Sequence, residues 1–455
     1  MPTSLLPSYP DVRPGRLDAG AYSRHFSDAT PRLTQAQAVL EAERCLYCYD
    51  APCATACPTS IDVPSFIKRI SDNNLRGAAR TILEANPLGG MCARVCPTEV
   101  LCEAVCVRNT QEGKPVAIGR LQRHAVDALM ESDKPQLFSR AADTGKKVAV
   151  VGAGPAGLAC AHTLARLGHK VSLFDARPKP GGLNEYGLAS YKTPGDFAQR
   201  EVQWLLGIGG IEVHNGWRLE STDQLQNLRA GHDALFLGMG LSNTHRLGVP
   251  GESLTGVQDA VDFIATLRQT PDLSTLPVGR RVVVIGGGMT AVDAAVQSKL
   301  LGSESVHMVY RRGPEAISAS MEEQEWALTH GVTICHWLAP LELLASDGQA
   351  THVGAVRFAR QALVNGQLSA TGDIETLTAD VVLKAIGQEL GNPVLAQSGF
   401  DLVGGRIATD DAGQTNLAGI WAGGDCRAGG LDLTVEAVEH GKRAAHAIHA
   451  HLSGV

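Results

Sequence analysis

The sequence predicts an α/β protein with a helical N-terminal part, and three observations lead to that prediction. Two segments repeat the same order of apolar strand, glycine-rich turn, helix and second strand, one starting at Lys146 and the other at Arg280. The residues before them are rich in cysteine, since eight of the eleven cysteines lie between Cys45 and Cys106. Strands that alternate with helices indicate parallel sheets. A length of 455 residues is enough for about three domains.

The first of these units has the pattern of a dinucleotide-binding site. The apolar run Val148 to Val151 precedes the motif GAGPAG at residues 152–157, and a second strand, Lys170 to Phe174, precedes Asp175. The first glycine permits a tight turn, the second lets the backbone approach a pyrophosphate, and the third lets the helix pack closely on the strand. The helix N-terminus would face the phosphates, and the Asp175 carboxylate would bind ribose hydroxyls.

Two further segments indicate which dinucleotide is bound. Lys179 to Leu183 has the sequence KPGGL, and Gly424-Asp425 ends an apolar strand near the C-terminus. Together with the glycine motif, these segments resemble the flavin-binding half of flavoproteins that have two dinucleotide domains. The resemblance implies FAD as a cofactor, with Asp425 on a ribityl or phosphate segment of it.

The second unit begins at Arg280 and has glycines at positions 286–288. After its second strand, Val306 to Tyr310, it has no acidic residue but two arginines, Arg311 and Arg312. Arginine in that place favours NADP over NAD because it can bind a 2′-phosphate. The alternative is that both arginines are merely solvated at the end of a strand.

The cysteines before the first unit form two groups. Cys45 to Pro58 has the spacing C-x2-C-x4-C-x3-C-P, and the second group extends from Cys92 to Cys106. Thiolates at this spacing hold iron–sulfur cubes, and the cysteine before proline commonly serves a neighbouring cluster. Eight cysteines would also suit two zinc sites with four thiolate ligands each. The two Cys-Pro junctions and the adjacent flavin unit favour iron–sulfur clusters, and the count of eight by itself makes Cys92 a ligand.

The remaining features suggest the domain boundaries. Residues 1 to about 30 are rich in proline and small polar residues and are expected to form an irregular arm. Thr34 to Arg44 is predicted to be a helix with Thr34 as its N-cap, and Val63 to Ala85 is predicted to be a helical stretch. We expect a helical iron–sulfur domain over 1–140, an FAD-binding domain over 145–275 plus 390–455, and an NAD(P)-binding domain over 276–389 inserted into the FAD domain.

Composition and charge limit the partners of the chain. The net charge is −7, which gives no reason to expect nucleic acid or an anionic membrane surface as a partner. No apolar run approaches the roughly 18 residues of a membrane span, and no export signal is visible. We therefore expect a cytoplasmic protein whose cysteines ligate metal rather than form disulfides.

Three segments carry a more specific resemblance. They are CLYCYDAPCATACPTSIDVPSFI from Cys45, NPLGGMCARVCPTEVLCEAVC from Asn86 and IGRLQ from Ile118. Together they resemble the N-terminal third of dihydropyrimidine dehydrogenases, and the match continues through both dinucleotide units. Within that family the sequence is most similar to the separate bacterial subunit that carries flavin, a nicotinamide site and two cubanes.

The resemblance implies a set of binding residues. One cluster would be held by Cys45, Cys48, Cys53 and Cys106. The other would be held by Cys57, Cys96, Cys102 and an unusual ligand, Gln122, which leaves Cys92 unused. The backbone at Val95 would contact the flavin. The other residues expected at FAD are Gly152, Gly154, Pro155, Ala156, Gly157, Asp175, Gly182, Leu183, Lys192, Gly424, Asp425 and Thr434. Those expected at NAD(P) are Gly286, Gly287, Gly288, Met289, Thr290, Arg311, Arg312, Ala385, Ile386 and Gly387.

The resemblance also implies a function. The chain would be the electron-input subunit of NAD(P)H-dependent dihydropyrimidine dehydrogenase, passing electrons through FAD and two [4Fe–4S] clusters. No catalytic side chain is implied, since the hydride passes to FAD. An FMN- and iron–sulfur-containing partner subunit would reduce uracil or thymine to the 5,6-dihydro forms.

One alternative function and the choice of coenzyme stay open. The alternative is the small subunit of NADPH-dependent glutamate synthase, from which Gln122 and the five residues between Cys96 and Cys102 distinguish this sequence. Family naming favours NAD as the coenzyme, whereas the paired arginines favour NADP.

Overall fold

The computed structural model describes residues 11–347 and 349–454, which form two compact units. The larger unit comprises residues 30–185, 195–243 and 389–454. The smaller unit comprises residues 11–29, 186–194 and the described part of 244–388. The first ten residues of the predicted N-terminal arm lie outside the described residues.

The chain alternates helices and strands over most of its length. The helices, in chain order, are α1 (Ala19–His25), α2 (Gln35–Glu43), α3 (Pro52–Thr55), α4 (Val63–Ser71), α5 (Leu75–Ala85), α6 (Gly89–Val95), α7 (Arg108–Glu112), α8 (Ile118–Met130), α9 (Pro155–Arg166), α10 (Leu183–Tyr186), α11 (Phe197–Leu206), α12 (Thr222–Gly231), α13 (Ala260–Gln269), α14 (Met289–Leu300), α15 (Met321–Thr329), α16 (Pro393–Gln397) and α17 (Thr434–Ser453). The strands are β1 (Val12–Arg13), β2 (Lys147–Val151), β3 (Lys170–Asp175), β4 (Ile211–Asn215), β5 (Ala234–Leu237), β6 (Asn243–Thr244), β7 (Val257–Asp259), β8 (Val278–Gly279), β9 (Arg281–Ile285), β10 (Ser305–Tyr310), β11 (Thr333–His336), β12 (Leu338–Ser346), β13 (Gln349–Val364), β14 (Gln367–Thr378), β15 (Val381–Lys384), β16 (Gln388–Glu389), β17 (Leu402–Val403), β18 (Arg406–Ile407) and β19 (Ile420–Ala422).

The helical part of the larger unit follows the sequence prediction in one place and departs from it in another. Thr34 caps α2 as predicted, and its side chain forms a capping box with Gln37. The stretch predicted as helical from Val63 to Ala85 is broken into α4 and α5. Asn73 has a φ of +58°, and the Asn74 side chain accepts the Gly77 N–H to begin α5. Asparagine is well tolerated both with a left-handed backbone and as an N-cap. The helical spacing of the apolar residues does not reveal such a break.

A five-stranded parallel sheet forms the other part of the larger unit. Its strand order is β19-β5-β2-β3-β4, so the C-terminal strand β19 lies beside β5. The helices α9 and α17 pack against each other beside it. One continuous hydrophobic core contains both Val148 and Val150 of β2 and Phe66 and Ile82 of the helical part. The cysteine-bearing helices and the sheet therefore fold as a single packed body.

The smaller unit has its own parallel sheet. The strand order is β11-β10-β9-β15-β7, and α14 follows β9 just as α9 follows β2. An antiparallel sheet of three strands, β12-β13-β14, is attached to this unit and was not predicted from the sequence. Both units are thus of the predicted α/β class, which is confirmed.

Two of the expected domain boundaries differ from the units that the structure forms. Residues 11–29 belong to the smaller unit because β1 pairs with β8 and Val12 is buried there. They also contain the helix α1 and are not an irregular arm of the helical domain. Residues 244–275 were expected in the FAD domain, yet β7 pairs with β15 in the sheet of the smaller unit. Short strands that join a sheet from distant sequence positions leave no boundary signal in the composition.

None of the helices over residues 11–347 and 349–454 combines the length and the apolar character that a membrane span requires.

A glycine on α17 provides a test of the packing in the larger unit. A Cβ at Gly441 would overlap the Ala156 carbonyl oxygen and lie 3.0 Å from the Cys160 nitrogen. We expect Gly441→Ala to lower the free energy of unfolding by about 1–3 kcal/mol, because overpacking forces the backbone to move. Denaturant unfolding measures the change. The control is Gly231→Ala in α12, where no atom lies within 4 Å of the added Cβ, and it should be neutral or slightly stabilising. Equal stability of the two variants would contradict the packing described for α17.

Candidate functional site

The first glycine-rich turn has the geometry of a phosphate-binding turn. Gly152 has a φ of +102°, and a Cβ there would overlap the Gly238 carbonyl oxygen. A Cβ at Gly157 would overlap the carbonyl oxygen of Gly152, so helix α9 lies directly against the turn. The helix begins at Pro155, with Gly154 as its N-cap. The first N–H groups of α9 therefore face outward from a turn whose backbone is accessible, which suits a pyrophosphate.

The KPGGL segment and the C-terminal Gly-Asp pair lie against this turn. A Cβ at Gly182 would lie 2.6 Å from the Gly154 Cα, and a Cβ at Gly424 would lie 3.0 Å from the Ala156 Cβ. Burial raises the pKa of Asp425 to about 6, so its carboxylate is mainly ionised at neutral pH. Thr434 donates its hydroxyl to the Asn184 side-chain oxygen at 2.9 Å. Segments far apart in sequence thus come together at the start of α9.

Asp175 has a structural task that the sequence did not predict. One carboxylate oxygen accepts the Ala153 N–H at 2.7 Å, and the other accepts the Arg177 N–H at 2.8 Å. The side chain therefore fastens the end of β3 to the glycine turn. Burial raises its pKa, while the two N–H donors act in the opposite direction. A carboxylate has about four acceptor positions, so these two bonds leave room for ribose hydroxyls.

Lys192, which was expected at FAD, forms two ion pairs that the sequence did not predict, and its contact with FAD stays a prediction. It lies in the smaller unit, where its ammonium is 2.8 Å from an Asp293 carboxylate oxygen and 2.7 Å from a Glu323 oxygen. Burial lowers its pKa, but the two carboxylates outweigh burial and raise the pKa overall. The two acids hold the ammonium group in place within the smaller unit. Sequence alone gave no sign of this ion pair, because its members are about a hundred residues or more apart.

The second glycine-rich turn lies in the smaller unit. A Cβ at Gly286 would overlap the Ala385 carbonyl oxygen, so Ala385, the first of the three expected residues 385–387, lies against the turn. The carbonyl oxygen of Gly287 accepts the N–H groups of Ser318 and Ala319. This covering segment was missed, since it carries no motif beyond a run of small residues. Met289 and Thr290 begin α14, whose N-cap is Gly288.

The two arginines after β10 are exposed, as a phosphate-binding pair would be. Neither the Arg311 nor the Arg312 side chain has an ion pair or hydrogen bond within residues 11–347 and 349–454. Most other arginines of the smaller unit have carboxylate or carbonyl partners. Two exposed guanidinium groups that follow a dinucleotide-type strand and have no carboxylate partner in the described residues suit a 2′-phosphate.

Four cysteines of the helical part line a single cavity. Its thiols are those of Cys45, Cys48, Cys53 and Cys106, and its apolar walls include Val63 and Ile67. Burial raises the pKa of Cys53 to about 11 and also raises that of Cys45. A thiolate is unfavourable there unless a cation offsets its charge, and iron supplies such a cation. The four residues that the family resemblance assigned to one cluster are therefore together.

The other three assigned cysteines also form a group. Burial raises the pKa of Cys96 and of Cys102, and the neighbouring thiol of Cys57 raises both further. The Cys57 sulfur lies 3.3 Å from the Thr59 hydroxyl. No three His, Cys, Asp or Glu side chains in the described residues converge on one point as ligands of a single metal ion.

Gln122 and Cys92 compete for the eighth ligand position, and their contacts differ. The Gln122 amide nitrogen donates to the Gly89 carbonyl at 2.7 Å, while its oxygen accepts no hydrogen bond in the described part of the chain. Cys92 is buried in α6, and its sulfur accepts a hydrogen bond from the Asn86 amide at 3.1 Å. Burial raises the pKa of Cys92. Cys92 is nevertheless close enough to raise the pKa of Cys96, so proximity alone does not separate the two candidates.

Comparison with known proteins shows the family of the chain. Residues 22–134 match the family described as dihydropyrimidine dehydrogenase domain II, 4Fe–4S cluster, and residues 146–441 match the pyridine nucleotide-disulphide oxidoreductases. The chain is 34% identical over 428 residues to the NAD-dependent dihydropyrimidine dehydrogenase subunit PreT of Salmonella typhimurium, covering 94% of this chain and 97% of that one. The chain belongs to the family of PreT-type dihydropyrimidine dehydrogenase subunits. It is accordingly an NAD(P)-dependent flavoprotein oxidoreductase with an iron–sulfur domain.

Two further relatives define the breadth of this family. The NADPH-dependent glutamate synthase small chain of Escherichia coli is 35% identical over 442 residues, covering 93% of each chain. Identity alone therefore does not separate the two activities. Mycobacterium tuberculosis FprA, solved in complex with NADPH, superposes with a TM-score of 0.55 at 20% identity, covering 68% of this chain and 85% of FprA. That likeness shows the fold of the dinucleotide part.

The competition between Gln122 and Cys92 can be tested directly. If Gln122 is the ligand, Cys92→Ser should keep the full iron content, and Gln122→Cys should lower the reduction potential of one cluster, because a thiolate adds negative charge at the iron. Iron analysis and redox titration measure the two effects. Loss of a cluster in Cys92→Ser, together with full iron in Gln122→Ala, would instead assign the position to Cys92.

The arginine pair can be tested by ligand binding. Replacing Arg311 and Arg312 with glutamine should weaken NADPH binding by about 1.5–3 kcal/mol for each charged hydrogen bond lost. NADH binding should hardly change, because it has no 2′-phosphate. Titration of the purified protein with each coenzyme measures both values. The control is Arg360→Gln, whose guanidinium already pairs with Glu375. An unchanged preference in the double variant would mean that both arginines are merely solvated.

Proposed function

We propose that this chain is the electron-input subunit of an NAD(P)H-dependent dihydropyrimidine dehydrogenase and binds one FAD and two [4Fe–4S] clusters. The observation that carries the proposal is the union of the two cysteine groups and the flavin-type turn in one unit with one hydrophobic core. Such a union suits electron transfer between flavin and clusters. The relatives named as dihydropyrimidine dehydrogenase subunits support the assignment.

The FAD domain corresponds to the sheet part of the larger unit. The first N–H groups of α9 would bind the FAD pyrophosphate, and the spare acceptor positions of Asp175 would bind ribose. Asp425 would hold a ribityl or phosphate segment, since the adjacent Gly424 packs against Ala156 in the first turn of α9, and Thr434, which donates to Asn184 of α10, would also contact FAD. The Val95 backbone, at the end of α6, would contact the flavin ring.

The clusters correspond to the two cysteine groups. The cavity of Cys45, Cys48, Cys53 and Cys106 would hold one cluster. Cys57, Cys96, Cys102 and the Gln122 oxygen would hold the other. An amide oxygen in place of a thiolate removes one negative charge from that cluster and so raises its potential.

The NAD(P) domain corresponds to the smaller unit. Its glycine turn and the start of α14 would bind the coenzyme pyrophosphate, and Arg311 and Arg312 would bind a 2′-phosphate, which favours NADPH. When bound, FAD accepts a hydride from the reduced coenzyme and releases electrons singly to the iron–sulfur clusters. We infer a partner subunit with FMN and further clusters, on which uracil or thymine is reduced.

A second function has direct support from the comparisons. The glutamate synthase small chain of Escherichia coli is as similar in sequence as the pyrimidine subunits. Gln122 and the five residues between Cys96 and Cys102 favour the pyrimidine function. The two functions differ in the partner that receives the electrons.

Reconstitution with each partner distinguishes the functions. The chain alone, purified without oxygen, should contain one FAD and two [4Fe–4S] clusters and should oxidise NAD(P)H with ferricyanide. It should not reduce uracil. Adding the FMN-containing catalytic subunit of a dihydropyrimidine dehydrogenase should produce uracil reduction, measured as loss of uracil absorbance.

The controls for this experiment lie within the chain. Cys53→Ser should abolish coupling to the partner, whereas Cys335→Ser, outside both cysteine groups, should leave it unchanged. Coupling to a glutamate synthase large chain, with consumption of glutamine and 2-oxoglutarate, would establish the second function instead. Stoichiometric zinc without iron would rule out both.

A further inference from the structure

A carboxylate is fully buried where the sheet part of the larger unit meets its helical part. Glu201 lies on α11, which belongs to the sheet part, and its exposed fraction is 0%. One carboxylate oxygen accepts the Gly90 N–H at 2.7 Å and the Met91 N–H at 3.2 Å. The other oxygen lies 3.2 Å from the same Met91 nitrogen. A side chain of one part thus binds the backbone of the other.

The N–H groups that Glu201 binds belong to the helix that leads to the second cysteine group. They form the first turn of α6, and the C-cap of that helix is Cys96. In the same turn, the Gly89 carbonyl accepts the Gln122 amide. One turn of backbone therefore connects Glu201 to two of the residues proposed to hold the second cluster. The turn is thus hydrogen-bonded to Gln122 and lies on the same short helix that ends at Cys96.

The contact is possible because residue 90 is glycine. A Cβ at Gly90 would lie 2.5 Å from Phe197 Cζ and 2.7 Å from the Glu201 oxygen. The Arg94 guanidinium lies 3.4 Å from the centre of the Phe197 ring and donates to the Gly90 carbonyl at 3.0 Å. The approach of α11 to α6 is therefore closely packed around the carboxylate.

The arginines near Glu201 form their ion pairs with Asp127 and not with Glu201 itself. Arg94 forms an ion pair with Asp127 at 2.7 Å, and Arg123 pairs with the same Asp127. Burial raises the pKa of Glu201 to about 8; the two backbone N–H groups and Arg94 lower it, and Asp127 raises it. The carboxylate also raises the pKa of the buried Cys92 thiol. Burying a carboxylate is costly, and capping a short helix does not require one.

We propose that Glu201 is a positioning residue for electron transfer from the flavin site to the second cluster, acting both through the first turn of α6 and through its charge. The inference rests on the proposed function, since it needs a cluster bound by Cys96 and Gln122. Reduction adds negative charge to a cluster, so an ionised Glu201 opposes it and a neutral Glu201 does not. The reduction potential of the second cluster therefore falls as the pH rises through about 8.

The test compares the wild type with Glu201→Gln in redox titrations monitored by electron paramagnetic resonance. Glutamine has nearly the same volume, and its oxygen can accept both N–H groups. The potential should depend on pH in the wild type. In Glu201→Gln it should be independent of pH and equal to the wild-type value at low pH. The control is Glu212→Gln, which removes an exposed carboxylate of the same unit and should behave as the wild type.

A second variant tests positioning separately from charge. Glu201→Met removes the charge and also the acceptor of the two N–H groups. After mixing with NADPH, its flavin should be reduced at the wild-type rate, and its cluster should be reduced at least about tenfold more slowly. Glu201→Gln should restore the fast cluster reduction, which rapid-mixing spectroscopy measures.

Other outcomes would overturn the proposal. The same pH dependence in Glu201→Gln as in the wild type would assign the effect to another group. A flat potential in both proteins would mean that the charge does not act on the cluster. Unchanged cluster reduction in Glu201→Met would remove the positioning role. These titrations need no partner subunit, so they are independent of which acceptor the chain serves, and absence of any cluster signal would refute the proposed function instead.

Discussion

The structure of the larger unit depends on how closely backbone approaches the first turn of helix α9. A Cβ at Gly157 would overlap the Gly152 carbonyl oxygen, a Cβ at Gly182 would lie 2.6 Å from the Gly154 Cα, and a Cβ at Gly441 would overlap the Ala156 carbonyl oxygen. These contacts bring separate parts of the sequence together around one helix terminus. The first N–H groups of that helix have no partner within the helix, which suits a phosphate.

The second constraint is the burial of groups that water would otherwise stabilise. Burial raises the pKa of the Cys53, Cys96 and Cys102 thiols, and a thiolate becomes favourable there when iron is bound. Folding and cluster binding are therefore linked, as in other metal sites whose ligands must lose protons. The shared hydrophobic core extends this linkage to the flavin sheet, so the loss of a cluster is expected to weaken the whole unit.

The sequence did not reveal contacts between residues that lie far apart along the chain. Asp175 binds the backbone of the glycine turn, and Lys192 lies between two acids of the smaller unit. The expectation of an irregular arm was wrong for residues 11–29, which contain α1 and pair with β8 through β1. Propensity and spacing describe local structure, whereas these contacts join residues up to hundreds of positions apart. The helical stretch that breaks at Asn73 is a local failure, because one residue in the left-handed region is enough to end a helix.

The sequence by itself determined the α/β class, both glycine-rich turns, the family and the two groups of cysteines. Each of these depends on a local pattern, in which a glycine or a thiol at a given spacing has few structural explanations. Only the tertiary structure decided which thiols share a cavity, that the cysteine helices and the sheet have one core, and that Glu201 joins them. Those features depend on contacts between side chains from distant segments of the chain. Burial and close packing stabilise such contacts, and neither can be read from one segment alone.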